Sequence, residues 1–512
     1  MTLKTFLKHL SESLRLGVFV AVILNSILFA QNLMTPLERS NYTKLTSNEK
    51  LNEFINEAAD KSSLIKVEII GRSVEGRNIP AAKISSSSFG KDKNKIKVLI
   101  FAQQHGNEPS GKEGALLLLK EIAEGKLNAL FSRIDLILIP QMNPDGGEKD
   151  VRRNAHGMDL NRNHLILTEP ETQSLHTIFN KYLPEVTLDV HEYFPFSEEW
   201  KKYGFYKNSD EQIGSITNPN ASVIIKNFTR NIFLPYIKKY LCKNGFTGFE
   251  YIPGGPPEIE RIRLSTYEIN DGRQSFGILN TFSMILEGKH GRDSIDNIKH
   301  RAEGQFTAMK ALLEFVYNNK DEIRKMVKDE REKLVNSSAG EKIAIRVEHV
   351  KGKETLELPL CSAITCKDTT VTVKEYHPSD KILLEVEKPV GYLIPKADTN
   401  LTRLLKLHDL KYGIYSPDTS LKIEEYVIIK KDIDVVEEDS LLYPKVEKKL
   451  VNKINPEDYY FVPSKQLHSN MLVIGLEPQT TLGLVQYANY KYLLEEGKSY
   501  PVLRVVGKQQ KP

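Results

Sequence analysis

The chain has 512 residues, 40% of them hydrophobic and 27% charged, and a formal net charge of +4. Such a length exceeds one ordinary core, so two units of unequal kind are expected, and the composition excludes a largely disordered or membrane-spanning chain. A nearly neutral charge gives no reason to expect nucleic acid as a partner.

In chain order, Lys4, Lys8 and Arg15 precede the apolar run "LGVFVAVILNSILFA", and small Ala30 stands before Gln31. A charged start, an apolar middle and a small residue at the cut are the layout of a secretory signal peptide over residues 1–30. The apolar run is about 15 residues, shorter than the roughly 20 a spanning helix needs. A secreted or periplasmic protein is therefore expected rather than one held by an uncleaved anchor, with no stable membrane partner beyond the signal segment.

From about residue 40 to 325, short apolar runs alternate with helical patterns. "KVEIIGRSVEGRNIPAAKIS" reads as two strands around a glycine-containing turn. "KIKVLIFAQQ" is a buried strand, and "SGKEGALLLLKEIAEG" has helical spacing with Ser110 as its expected N-cap. "IDLILIPQMNP", "EVTLDVHEY" and "FSMILEG" are further buried strands, and "NIKHRAEGQFTAMKALLEFVYNN" is a long amphipathic helix. The alternation predicts an α/β fold, a central sheet flanked by helices. His105, Asp145, His191 and Glu287 each follow an apolar run, at the strand ends where an open α/β sheet forms its ligand crevice.

The charged segment "KDEIRKMVKDEREKLVNSSAGEK" reads as a solvated helix running into a linker, over about 326–340. Beyond it, "KIAIRVEHV", "TVTVKEYH", "KILLEVEKPVGYLIP" and "KIEEYVIIKK" are β-rich runs broken by turn residues. They predict a smaller, mostly β C-terminal domain over 341–512. Three cysteines, Cys242, Cys361 and Cys366, cannot all pair within the chain. Cys361 and Cys366 allow a small disulfide or two free thiols. None lies among the polar residues at the strand ends, which disfavours a cysteine-bound zinc.

The stretch "HGNE" sets His105 and Glu108 three residues apart on one loop. Catalytic zinc is usually held by three protein ligands of the histidine and carboxylate type, with one position left open. The pair alone is more often the polar start of a helix. His191 in "LDVHEY" supplies a third ligand type from a separate strand.

Between them runs "QMNPDGGEKDVRRNAHGMDLNRN". With it the chain resembles the carboxypeptidase A-like zinc metallocarboxypeptidases. HxxE, an Asn-Pro-Asp-Gly turn, an Arg-x-Asn, a Gly-x-Asp-x-Asn-Arg run, a third-ligand histidine and a late glutamate occur in family order, and "IGRSVEGRNI" matches the family's opening. The resemblance covers roughly residues 36–318 and implies a carboxypeptidase domain over 36–325. It implies one Zn²⁺ held by His105, Glu108 and His191, with Asp145 taking the outer hydrogen bond of His105. Asn161 and Arg162 would bind the free C-terminal carboxylate of a peptide substrate. Arg152 would polarise the scissile carbonyl, with Arg153 its neighbouring alternative. Glu287 would be the general base and then protonate the leaving amine, with Glu268 its rival. Tyr267 falls where the family carries its substrate-capping tyrosine. Arg273 is either an ordinary surface arginine or a residue favouring an acidic side chain on the substrate. "EKPVGYLIP" and "LVIGLEPQTTLGLVQY" resemble a segment that larger bacterial members append after the peptidase, read here as a structural or substrate-positioning accessory.

The expected activity is hydrolysis of a C-terminal peptide bond. A second reading is a zinc deacylase of N-acyl amino acids, of the aspartoacylase and succinylglutamate desuccinylase type, which shares "HGNE", a "DLNR" run and a third histidine. The intact "NPDG", the "EGR" opening and the helix after Glu287 favour the peptidase. A third is a non-catalytic peptide-binding protein on the same scaffold, disfavoured because every ligand and the base are present.

Overall fold

The computed structural model of the chain describes residues 33–337, 339–436, 439–481 and 483–507. The signal segment expected over 1–30 lies outside them. Among the described residues no helix is long and apolar enough to cross a membrane.

Eight strands form the central sheet: β1 (Ile65–Arg72), β2 (Asn78–Ile84), β3 (Ile96–Ala102), β4 (Ile134–Ile139), β5 (Val186–Tyr193), β6 (Glu211–Ser215), β7 (Gly248–Glu250) and β8 (Phe282–Lys289). Their order is β1-β2-β4-β3-β5-β8-β6-β7. The centre, β4-β3-β5-β8, is parallel, while the β1-β2, β2-β4 and β8-β6 pairs are antiparallel, so the sheet is mixed. The central strands are apolar almost without alternation, as strands covered on both faces must be. In β4 every residue is buried. The Ser110–Ala123 and Ile298–Asn318 helices pack on each other beside the sheet. In the Lys320–Asn336 helix, Ile323, Val327, Glu330 and Leu334 are buried at helical spacing, and the charged residues between them face water.

Ser110 is not the N-cap it was expected to be. The helix starts after Pro109 with no side-chain cap. Its first N–H, that of Ser110, is satisfied instead by the Glu192 carboxylate at 2.9 Å, a carboxylate that Arg301 also grips at 2.7 Å. A negative charge at a helix N-terminus stabilises it, and here the charge arrives from β5.

The later part of the chain is mostly β, as expected. It contains a six-stranded sheet and a two-stranded Lys342–Val350/Ser379–Glu387 pair. Two short strands of the earlier part join it: Phe205–Lys207 pairs with Leu356–Ser362, and Ile262–Arg263 with Tyr376–His377. One continuous core cluster also runs from Leu33 to Val502. The two resembling motifs of this region meet in space. Glu477, from "LVIGLEP", accepts hydrogen bonds from Tyr392 of "EKPVGYLIP" at 2.8 Å and from Tyr426 at 2.7 Å, beside Arg504. A buried carboxylate needs such partners. Cys361 is buried, Cys366 is exposed, and the two are not bridged.

Candidate metal and substrate site

β3 ends at Ala102, and the chain turns through "QQHGNEP" into the next helix. Gly106 is where this loop meets "NPDGG" backbone to backbone: a Cβ there would stand 2.1 Å from the Gly146 carbonyl carbon and 2.4 Å from the Gly147 nitrogen. No side chain fits that gap. Asn143 fastens the same contact. Its Oδ1 accepts from Gly146 N at 2.9 Å, capping the short "PDGG" helix, while its Nδ2 donates to the carbonyl of Gln104 at 3.1 Å and toward that of Arg152 at 3.3 Å.

The loop thus held presents His105 and Glu108 to His191, which lies near the carboxyl end of β5. His105 Nδ1 is 2.8 Å from Glu108 Oε1, His191 Nδ1 is 2.9 Å from Glu108 Oε2, and the two Nδ1 atoms are 3.1 Å apart. One donor atom from each residue lies within 4.8 Å of the others, and all three residues are buried. Both outer nitrogens face carboxylates: His105 Nε2 lies 3.0 Å from Asp159 and His191 Nε2 lies 2.9 Å from Asp189. A carboxylate there fixes each ring with Nε2 protonated and Nδ1 free to donate its lone pair. Burial works against the charge of Glu108, yet His105 and His191 hold its pKa well below the usual carboxylate range. Burial likewise opposes charge on His191, and Asp189 and Glu108 raise its pKa nonetheless. Two imidazole nitrogens, a shared carboxylate and two outer carboxylates fit a zinc dication.

Asp145 is not the outer partner of His105. It is fully buried, accepting from Ser73 Oγ at 2.6 Å, Glu75 N at 2.9 Å and Arg77 at 2.7 Å. It therefore ties "NPDG" to the "RSVEGR" opening, and Asp159 occupies the place expected for it. Asp189 was also missed. Its signal was its position two residues before His191, which puts both side chains on one face of a strand.

Arg152 reaches the site and Arg153 does not. Arg152 donates from Nε to Asp159 at 3.0 Å, and its Nη1 lies 3.4 Å from Glu108. Arg153 donates to the Gly157 carbonyl. Asn161 is buried, its Oδ1 accepting from Gln104 at 3.1 Å and Gly272 N at 2.9 Å, while the adjacent Arg162 is solvent-accessible. Glu287 stands on β8 directly opposite His191 in the parallel register. Burial pushes its carboxyl up to about 7, with His191 pulling down and Glu108 pushing up. Its rival Glu268 instead neighbours Arg162 and Tyr487.

Tyr267 is not at the site mouth. It is buried with its ring stacked on His349 at 4.2 Å, and its hydroxyl donates to Asp380 at 2.9 Å. It packs the peptidase side against the C-terminal strands. Two other tyrosines stand near Arg162: Tyr251, which also feels Glu287 and Arg273, and Tyr487, whose hydroxyl hydrogen-bonds with Asn270. No local motif marks either one.

Residues 51–204 match the family described as zinc carboxypeptidase, a span that holds His105, Glu108 and His191. Carboxypeptidase 2 of Trichophyton rubrum is 23% identical over 476 residues, 90% of this chain and 86% of that protein. Carboxypeptidase E of Caenorhabditis elegans is 32% identical over 111 residues, 18% of this chain and 24% of its own. Among solved structures, the metallo-carboxypeptidase from Burkholderia cenocepacia aligns 71% of its length with 55% of this chain, at 19% identity and a TM-score of 0.43. The family's ordered motifs, gathered around one histidine-glutamate-histidine group, mean that this chain carries a zinc carboxypeptidase domain and belongs among the hydrolases that act on peptide bonds.

Proposed function

We propose that the protein is a secreted or periplasmic carboxypeptidase that removes the C-terminal residue of peptides, with residues 36–325 as its peptidase unit and 341–512 as an accessory. The observation that carries this reading is the convergence of His105, Glu108 and His191 beside Glu287, with Arg152 reaching Glu108 and Arg162 near Asp159. Zinc, when bound by the three ligands, supplies a Lewis acid that polarises the scissile carbonyl and makes water acidic enough to ionise near neutral pH. Glu287 is the only carboxylate of the group without a fixed hydrogen-bond partner among the described residues, which suits it to accept a proton from the attacking water and deliver it to the leaving amine. Arg152 hydrogen-bonds the carbonyl oxygen as negative charge grows on it, held in aim by Asp159. Arg162, beside Asn161, pairs with the free carboxylate of the substrate and so fixes which bond is cut. The layout of residues 1–30 supports export.

Metal analysis of the purified full chain, followed by digestion of a peptide library, tests this reading. One bound zinc and stepwise loss of C-terminal residues are expected. The zinc deacylase reading predicts faster turnover of N-acyl amino acids than of blocked dipeptides, and that result would replace ours.

A further inference from the structure

A cavity of about 320 Å³ includes Gly214, Tyr251, Ser265 and Arg273 in its wall, and Tyr251 lies near both Glu287 and Arg162. The cavity is large enough for one side chain and small for a larger ligand. Its floor is one pleat from the chemistry. Gly214 pairs with Ile285, while Gln212, two residues earlier on β6, pairs with Glu287. Two residues of strand span about 7 Å, roughly the reach from a scissile carbonyl into the side chain that follows it. Gly214 keeps the space open: a Cβ there would meet Ile285 at 2.7 Å, Tyr251 at 3.0 Å and Arg273 Nη1 at 3.1 Å.

Arg273 is not the surface residue its sequence setting suggested. It is 1% exposed. Its Nη2 donates to Ser265 at 2.7 Å and Asp271 at 3.1 Å, but its Nε and Nη1 are buried with no acceptor. The other charges around the cavity are already engaged. Arg230 pairs with Glu250 at 3.0 Å, Asp380 accepts from Tyr267, and Lys226 donates to the Asn218 carbonyl. A buried guanidinium with two idle donors is costly unless something completes it, and a carboxylate is its best complement.

We infer that this cavity receives the side chain of the substrate's C-terminal residue and that Arg273 selects glutamate or aspartate there. The inference rests on the carboxypeptidase reading and adds the substrate class. The test uses the zinc-loaded full chain on acyl-dipeptides that differ only in ending with Glu, Asp, Phe or Lys. Expected are kcat/KM values for Glu and Asp at least tenfold above those for Phe and Lys. Arg273→Gln should lower the Glu-to-Phe ratio by about a hundredfold, mainly through the acidic substrates. Should that variant not fold, Ser265→Ala, which removes the hydroxyl that holds Arg273 Nη2 in place, is expected to lower the same ratio by several-fold. Preferred release of Phe or Lys by the native chain overturns the inference and leaves the carboxypeptidase reading intact. Failure to release any of the four residues overturns both.

Discussion

Asp159→Asn separates the two aspartates that compete for His105. In the native site one carboxylate oxygen of Asp159 lies 3.0 Å from His105 Nε2 and accepts the Asn161 N–H at 3.0 Å, while the other takes Nε and Nη2 of Arg152 at 3.0 and 2.9 Å. All of these neighbours present donors, so an amide must turn its NH₂ toward one of them. Burial opposes the charge of Asp159, yet His105 and Arg152 hold its pKa far below the ordinary carboxylate range, which marks how much they depend on its charge. Loss of such an outer partner lowers metal affinity by about 10- to 100-fold, or roughly 1.4–2.8 kcal/mol. Arg152 is half-exposed, so its own pairing adds at most about 1 kcal/mol. Competition against a chromophoric chelator measures the zinc affinity. Asp145→Asn is the control: it should lower the melting temperature, because three donors lose a charged acceptor, but keep zinc affinity within about threefold of native. Native zinc affinity in Asp159→Asn, or an equal loss in a folded Asp145→Asn, would refute the assignment.

Glu287→Gln should retain one zinc per chain and lose about 10²- to 10⁴-fold in kcat; unchanged kcat would mean that another group handles the proton. Tyr267→Phe should leave KM for blocked dipeptides within about twofold of native and cost about 1 kcal/mol of stability through the lost Asp380 hydrogen bond, read by thermal melting. Gly106→Ala should prevent zinc binding or yield insoluble protein, since its Cβ meets backbone rather than a movable side chain; normal zinc content would contradict the packing described. Four buried histidines, His164, His176, His408 and His468, touch in succession, and burial holds His164 and His408 down to about 4 and His468 to about 3. An unfolded chain takes up their protons near pH 6.5 and the folded one resists, so stability is full above that pH. It falls on acidification toward pH 4 by about 1.4 kcal/mol per pH unit for each such histidine. Calorimetry on His468→Phe should give a shallower decline than the native chain, and an equal slope would tell against the account.

The grouping of His105, Glu108 and His191 was legible because His105 and Glu108 share the loop that follows one buried strand and His191 lies near the end of another. Their order along the chain is also the order in which the sheet delivers them. The choice between Asp145 and Asp159 was not legible. Both aspartates follow strand-ending motifs, and only the packing of Gly106 on "NPDGG" turns the first toward Ser73 and the second toward His105. Tyr267 was misjudged for a related reason: distance from Glu287 along the chain carries no information about the His349 ring that stacks on it. Arg273 looked like a surface residue because the space that buries it is built by β6 and by strands more than a hundred residues later.

Tyr487 stands beside Arg162, although the three metal ligands and Glu287 all precede residue 290. A ribosome therefore releases the histidine-glutamate-histidine group, Glu287 and Arg162 long before it releases the tyrosine that neighbours Arg162. His408 likewise holds the Leu165 carbonyl, just after Arg162, from beyond the linker. Cutting the chain at the linker would accordingly leave the metal group with an unfinished mouth rather than free a smaller peptidase. Completion of the surroundings of Arg162 is thus tied to the folding of the last part of the chain, so the peptide grip proposed for that arginine would be complete only once the whole molecule has assembled.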